Sequence, residues 1–184
     1  TLHCDNPQCD SQITRRFVHF ASKKAMNIEG LSEATLEKFL NLGYLHSFQD
    51  IYHLEEHRED IVALDGYGEK SFDRLWKSIN ASRRTSFVRY LVSMDIPMIG
   101  RTKSRILDTV FSGNLTAFEQ AAVGDYDFTH LEDFGEILNH NIHSWFADEA
   151  NLDLWKNLQN EFTFEQRKEL YMDILELMKE RHRT

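Results

Sequence analysis

The 184-residue chain has only two cysteines, two prolines and eight glycines, and each shortage excludes a class of protein. So little proline and glycine excludes a collagen-like or low-complexity chain. Two cysteines cannot build a disulfide framework, which favours a reducing compartment. No apolar run approaches the roughly 20 residues of a membrane-spanning helix, so we expect no transmembrane protein. A basic start followed by an apolar stretch is also missing, so we expect no signal peptide.

Apolar residues make up 41% of the chain, enough for a sizeable core, and the length fits one large or two small domains. They recur at helical spacing in stripes that begin at Ile13, Phe72, Ile106 and Leu138. No run alternates over the length of a strand. The pattern predicts an all-α fold in which the aromatic side chains of the stripes belong to the core.

The net charge of −9 is unevenly distributed along the chain. Residues 1–110 carry 15 basic and 15 acidic side chains, whereas residues 111–184 carry 6 and 15. Within 66–105, nine basic residues stand against three acidic ones. A basic centre beside an acidic end is typical of a protein that meets a polyanion with one region only. A solvated helix surface explains the same charges equally well.

Four short segments share one pattern, in which an apolar helix end leads into a turn with a central apolar residue and then into a second helix. We call them turns one to four; they are residues 28–33, 64–69, 96–101 and 131–136. Their last turn positions, Ser32, Gly68, Gly100 and Gly135, are 36, 32 and 35 residues apart. Four copies at nearly constant spacing predict tandem helix-hairpin-helix repeats.

The turn of this motif reads glycine, apolar residue, glycine, and its chemistry suits a phosphate. Glycine tolerates a positive φ and leaves room for a ligand to approach the backbone. The second helix presents unpaired N–H groups and the positive end of its dipole. We therefore predict contact with the DNA backbone, without sequence specificity. The candidate DNA-binding residues are Gly30, Gly66, Gly68, Lys70, Gly100, Arg101 and Lys103.

The four turns are unequal candidates. Turn two alone has both glycines, and turn three, with Met98 at the first position, lies in the same basic region. Turn one has Ser32 at the second position. Turn four has Asp133 at the first position, between Glu132 and the nearby Glu136, and these carboxylates would repel phosphate. We expect DNA contact mainly at turns two and three; the alternative is that the turns only pack helices together.

Cys4 and Cys9 are spaced so that their thiolates can hold two corners of a tetrahedral zinc site. The other two corners are not evident, although His3 and His19 are nearby. Structural zinc takes four protein ligands, so we expect no complete zinc site in this chain.

Two stretches, together with the four turns, carry a family resemblance. Residues 4–12 read Cys-x-Asn-x-x-Cys-x-x-Gln, and residues 15–31 read Arg-x-x-x-His-Phe-x-x-Lys-x-Ala-Met-x-Ile-x-Gly-Leu. In this order and spacing the chain resembles the bacterial NAD-dependent DNA ligases over roughly residues 3–160. The resemblance implies that Cys4 and Cys9 are the second pair of a four-cysteine zinc finger. It also implies that the repeats grip the DNA backbone across the minor groove at a nick.

The resemblance divides the chain into three parts: residues 1–12 as a zinc-finger remnant, 13–160 as the helix-hairpin-helix domain, and 161–184 as a helical tail. No BRCT domain, usual at the end of these ligases, is recognisable. Instead the tail has an apolar stripe of Leu170, Tyr171, Ile174, Leu175 and Met178, which predicts an amphipathic helix. The stripe departs from the family pattern.

The family's nucleophile is a lysine in a Lys-x-Asp-Gly motif that accepts AMP from NAD. The nearest string here is residues 63–66, with Ala63 in place of the lysine. We therefore expect no catalytic residue and no cofactor in this chain, with zinc and NAD belonging to the full-length protein.

The sequence thus predicts a non-catalytic DNA-binding module of such a ligase, acting in replication and repair in the bacterial cytoplasm. Its partners would be nicked double-stranded DNA and the other ligase domains, with no membrane. The alternative is a helical scaffold or protein-interaction domain. The two differ in whether the basic side chains from Lys70 to Arg105 cluster beside the turns.

Overall fold

The computed structural model describes residues 10–165, 175–176 and 178–183, and it is mostly helical. The α-helices of residues 10–165 are α1 (Asp10–Ala21), α2 (Glu33–Asn41), α3 (Phe48–Ile51), α4 (Arg58–Val62), α5 (Glu69–Ser82), α6 (Phe87–Ser93), α7 (Arg101–Val110), α8 (Leu115–Val123), α9 (Glu136–Ala147) and α10 (Glu149–Leu158). Short 3-10 helices span Leu54–His57, Phe128–His130 and Gln159–Glu161. No helix in the described part of the chain is long and apolar enough to cross a membrane.

Each turn lies between two helices that pack against one another. These helix pairs are α1 with α2, α4 with α5, α6 with α7, and α8 with α9. The last turn positions are the N-caps of the second helices: Ser32 of α2, Gly68 of α5, Gly100 of α7 and Gly135 of α9. The predicted positions of the four helix starts are therefore confirmed.

One continuous core runs through all of these helix pairs, and aromatic rings form much of it. Phe20 and Phe72 from the predicted stripes are 0% and 1% exposed, as expected for core residues. Tyr90 in α6 lies 4.9 Å from Trp155, centroid to centroid, and donates its hydroxyl to the Trp155 carbonyl at 2.6 Å. Burial of this phenol raises its pKa above the ordinary value. The polar tip of Tyr90 thus joins α6 to α10.

A short parallel strand pair interrupts the otherwise helical fold. β1 (Arg84–Thr85) pairs with β2 (Thr163–Phe164). The amide of Thr163 donates to the Arg83 carbonyl at 2.7 Å, and that of Glu165 donates to Thr85 at 2.7 Å. The sequence predicted no strand, because a strand of two residues is too short to show alternation.

The first residues of the predicted tail belong to this helical body. Arg83 Nη1 lies 2.9 Å from Glu161 Oε2, and Arg83 Nη2 donates to the Tyr52 carbonyl at 2.8 Å. The rings of Phe162 and Phe164 lie 5.7 Å and 5.2 Å from that of Tyr90. The chain therefore stays attached to the body through residue 165.

The apolar stripe predicted for the tail falls mostly outside the described residues, which omit Leu170, Tyr171 and Ile174. Leu175 is helical and half-buried, and Met178 is helical and 54% exposed.

Candidate nucleic-acid interface

The four turns have the same backbone conformation at their first glycine position. Gly30 and Gly66 have φ values of +94° and +81°, and Met98 and Asp133 have φ values of +66° and +61°. This left-handed region favours glycine, and an ordinary side chain there costs roughly 1–2 kcal/mol. The turn geometry is thus retained in turns three and four without glycine.

A hydrogen bond closes each of three turns across this position. The amides of Tyr67, Ile99 and Phe134 donate to carbonyls three residues earlier, at 3.1, 3.0 and 3.2 Å. A tight turn with a positive φ at its third residue is of type II, which favours proline at its second residue. Pro97 occupies that position in turn three. Local turn chemistry and the contacts described below therefore hold Met98 in its strained conformation.

The central apolar residue of each turn points into the protein. Leu31, Ile99 and Phe134 are 6%, 3% and 6% exposed, whereas Tyr67 is half-buried. These side chains fix the turns on the body, so that the N-termini of the following helices have a defined position.

The second glycine position has a different role from the first. Gly68 and Gly100 have φ values of −164° and −91°, which other residues adopt readily. A valine at either position should not strain the turn, because the backbone is extended. A Cβ added to either glycine meets none of the described atoms within 4 Å. Glycine here keeps open the space in front of the helix.

The first amides of α5 and α7 face this open space without an intrahelical acceptor. The first helical bonds run from Phe72 to Gly68 at 3.0 Å and from Ser104 to Gly100 at 2.9 Å. The amides of residues 69–71 and 101–103 precede them and are therefore unpaired within their helices. In α2, by contrast, the Ser32 hydroxyl accepts from the Thr35 amide at 3.3 Å. Turn one thus caps its own helix, whereas glycine leaves turns two and three uncapped.

Turns one and two contact the helices of one another. The Glu29 amide of turn one donates to the Ser78 hydroxyl of α5 at 2.8 Å. The Tyr67 hydroxyl of turn two donates to Thr35 Oγ1 of α2 at 3.0 Å. A Cβ on Gly30 would lie 3.3 Å from Leu75 Cδ1, so this glycine also permits close packing on α5. These contacts join the first two helix pairs into one unit.

Turns three and four repeat this arrangement. Asn141 of α9 donates to the Pro97 carbonyl of turn three at 2.9 Å. Lys103 of α7 donates to the Asp133 carbonyl of turn four at 2.7 Å and lies 5.4 Å from the centroid of Phe134. Lys103 stands three residues after its N-cap, as Thr35 does in α2. The second two helix pairs therefore form a matching unit.

The basic side chains of residues 66–105 divide into two groups. The first binds the protein itself: Arg83 pairs with Glu161, Arg89 donates to the Ala25 carbonyl at 2.7 Å, and Lys103 contacts turn four. The other group is exposed and comprises Lys70, Arg74, Lys77, Arg84, Arg101 and Arg105. Arg84 lies 3.8 Å from a Glu165 oxygen, whereas the other five lie on α5 and α7, so most of the exposed positive charge of this region is on the helices that follow turns two and three.

Arg58 of α4 neutralises the two acidic residues at the start of α5. Its Nη2 lies 2.7 Å from Glu69 Oε2 and 2.6 Å from Asp73 Oδ1, and its guanidinium lies 4.8 Å from the Phe72 ring centroid. These carboxylates raise the pKa of Arg58 by hydrogen bonding. The bonds draw both acids toward α4, which strengthens the positive potential on the rest of α5.

Comparison with known proteins identifies sequences that are similar to this chain. The DNA ligase of Ruminiclostridium cellulolyticum is 34% identical over 166 residues, which are 90% of this chain and 25% of that protein. The DNA ligase of Spiroplasma citri is 37% identical over 149 residues, 81% and 22% of the two chains. That of Acinetobacter baylyi is 35% identical over 150 residues, 82% and 22%. The chain belongs to the bacterial DNA ligase family. It spans about a quarter of the length of these curated relatives. No family model matches the chain.

The structure places the predicted site residues of this ligase segment in different parts of the turns and helices. Gly68, Lys70, Gly100 and Arg101 lie at or directly after the open N-termini of α5 and α7. Gly30 and Gly66 provide left-handed turn geometry, and Lys103 bridges turns three and four. Sequence reasoning missed Arg58, because its partners Glu69 and Asp73 lie 11 and 15 residues away and no local pattern connects them.

The cysteine pair of the ligase segment, Cys4 and Cys9, lies outside the described residues. Within the described part, no three His, Cys, Asp or Glu side chains are grouped so that they could hold a metal ion. Ala63 follows α4, and Leu64, Asp65 and Gly66 belong to turn two, so most of the string nearest to the ligase nucleophile motif forms part of a turn.

Proposed function

We propose that this chain is the non-catalytic DNA-binding segment of an NAD-dependent DNA ligase. In this proposal its four turns are helix-hairpin-helix motifs, and it binds the backbone of duplex DNA around a nick without sequence specificity. Membership of the DNA ligase family supports DNA as the partner, together with the remaining ligase domains. The proposal includes a role of the full protein in DNA replication and repair.

One observation carries the proposal: the α5 and α7 N-termini are closed by neither a side chain nor packing. Gly68 and Gly100 leave three amides of each helix open to the space in front of the turn. A phosphate placed there accepts hydrogen bonds from the amides and gains from the helix dipole. Lys70 and Arg101, the first basic residues after these glycines, add a charge beside each position.

Turn four is a poor phosphate site in the same proposal. Gly135 has an extended φ of −103° and, like Gly68, open space around an added Cβ. However, the exposed side chains of Glu132, Asp133 and Glu136 surround the helix start with negative charge. In this proposal turn four mainly fixes the position of α7, because Lys103 of α7 donates to the Asp133 carbonyl of turn four.

The proposal assigns the NAD reaction to segments outside this chain. The exposed residue Ala63 stands where a nucleophilic lysine would be required, and its methyl group cannot accept AMP. The proposal also assigns Cys4 and Cys9 to half of a zinc site that other residues of the full-length protein complete.

A matched set of three valine substitutions tests the proposal by fluorescence anisotropy with a labelled nicked duplex. Gly68→Val and Gly100→Val place a side chain in front of α5 and α7, so each should weaken binding by about tenfold at low salt. Gly135→Val makes the same change at the N-cap of the acidic turn and should leave the affinity within about twofold. Circular dichroism checks that all three variants fold. Equal affinities for the three variants and the parent would favour the helical scaffold, in which the turns serve packing alone.

A further inference from the structure

A groove of about 860 Å³ lies between turn one, turn two and one face of α5. Gly30 and Gly66, the left-handed residues of the two turns, both line it. The face of α5 contributes Ser71, Arg74 and Ser78, which are spaced three and four residues apart as one face of a helix requires. The two turns and their shared helix thus form one concave surface beside the open N-terminus of α5.

The side chains of the groove suit an anion with several oxygen acceptors. Arg74 and Lys77 line it with exposed cationic groups. Ser78 accepts a hydrogen bond from the Glu29 amide and still has its own proton to donate. Among the described residues that line the groove, Glu29 is the one acidic side chain. Two cations against one carboxylate leave the groove net positive.

We propose that this groove binds a phosphodiester of the DNA backbone, adjacent to the phosphate received by the α5 N-terminus. Arg74 and Lys77 supply the charge, and the Ser71 hydroxyl donates to a phosphate oxygen. This inference rests on the proposed DNA-binding function and extends it to a side-chain site that is independent of the helix dipole.

The length of α5 allows one DNA strand to contact both the helix N-terminus and the groove. Gly68 and Lys77 are nine residues apart, which corresponds to about 14 Å along a helix. One DNA strand carries a phosphate about every 3.4 Å of the duplex axis, so this length spans more than one phosphate. The position of Gly66 in both turn two and the groove lining makes the two sites continuous.

The test compares two double variants that each remove two positive charges. Arg74→Gln with Lys77→Gln removes the cations of the groove, whereas Lys156→Gln with Lys179→Gln removes two exposed cations that do not line it. With a labelled nicked duplex, the groove variant should bind about tenfold more weakly at low salt and lose about two units of salt slope. The control should keep its salt slope within half a unit of that of the parent, by the same relation.

Three results would overturn the inference, and they differ in what they say about the proposed function. If the two double variants have equal affinities and salt slopes while the parent binds normally, the phosphodiester site in the groove is contradicted and the proposed function is not. If the parent does not bind the duplex at all, both the site and the proposed function are contradicted. Calorimetric titration with inorganic phosphate should show no saturable binding; saturable binding that the groove variant loses would mean a site for a free anion.

Discussion

Met98 and Asp133 take a backbone conformation that glycine provides in turns one and two. Asp133 is a tolerable choice because aspartate is enriched in left-handed positions, whereas methionine has no such advantage. Each side chain is exposed, so neither gains burial in return. The strain is therefore held by the turn hydrogen bonds and by the contacts that Asn141 and Lys103 make with turns three and four.

We predict that Met98→Gly and Asp133→Gly each stabilise the protein. Relief of the left-handed strain outweighs the greater entropy of glycine in the unfolded chain, for a net gain of about 0.5–1 kcal/mol. The midpoint of urea unfolding measures this gain. Glu132→Gly is the matched control, since Glu132 is exposed in the same turn and does not have a positive φ. A control that gained as much stability as the two variants would show that the strain does not exist.

Arg58 gives a second prediction, which concerns affinity. Arg58→Met should weaken duplex binding by about threefold, because Glu69 and Asp73 would stand unneutralised beside the α5 N-terminus. Adding Glu69→Gln and Asp73→Asn to Arg58→Met should restore the affinity. This rescue separates the electrostatic role from the packing of Arg58 on Phe72, which the added changes leave disrupted. If the triple variant binds as weakly as Arg58→Met, Arg58 acts through packing.

The helix starts follow from local sequence, and the contacts between helices do not. Gly68 and Gly100 were predictable as helix starts because a turn residue meets an apolar stripe of helical period there. The pairing of turn one with two and turn three with four depends on Thr35, Lys103 and Asn141, whose polar side chains have no distinctive spacing. Such contacts between distant residues become visible only once the fold is known.

The strand pair at the end of the body shows the same limit. β2 pairs with β1 across about 80 residues, as the bond from Thr163 to Arg83 shows, so no short pattern predicts it. The division at residue 160 was drawn where the family resemblance fades. The structure attaches five further residues through Glu161, Phe162 and Phe164.

We therefore predict that a chain ending at Glu165 is more stable than one ending at Asn160. The shorter chain loses the strand pair, the partner of Arg83 and two half-buried rings, which together should cost at least about 2 kcal/mol. Urea unfolding of the two truncated chains, both lacking residues 166–184, gives the comparison. Identical unfolding midpoints would place the end of the stable domain at residue 160, as the sequence predicted.

The whole molecule combines an acidic net charge with a local surface that suits a polyanion. Its −9 net charge belongs to residues 111–184, which include the acidic turn four. Within residues 66–105, most of the exposed cations lie instead on α5 and α7, the helices that follow turns two and three. The net charge of the whole chain would predict poor binding to DNA. The uneven distribution of charge over the surface instead favours the proposed binding through the region around turns two and three. The sequence predicted this asymmetry, but not the loss of Arg83, Arg89 and Lys103 to internal contacts.

The most direct test of DNA binding through turns two and three is a map of backbone amides by NMR. On titration with a short nicked duplex, the amides of residues 69–71 and 101–103 should show the largest chemical-shift changes, because phosphate accepts hydrogen bonds from them. The amides of residues 136–138, at the start of α9 after turn four, should change little and serve as the internal reference. Changes of equal size at all three helix starts, or none at residues 69–71 and 101–103 while DNA is bound, would contradict this account.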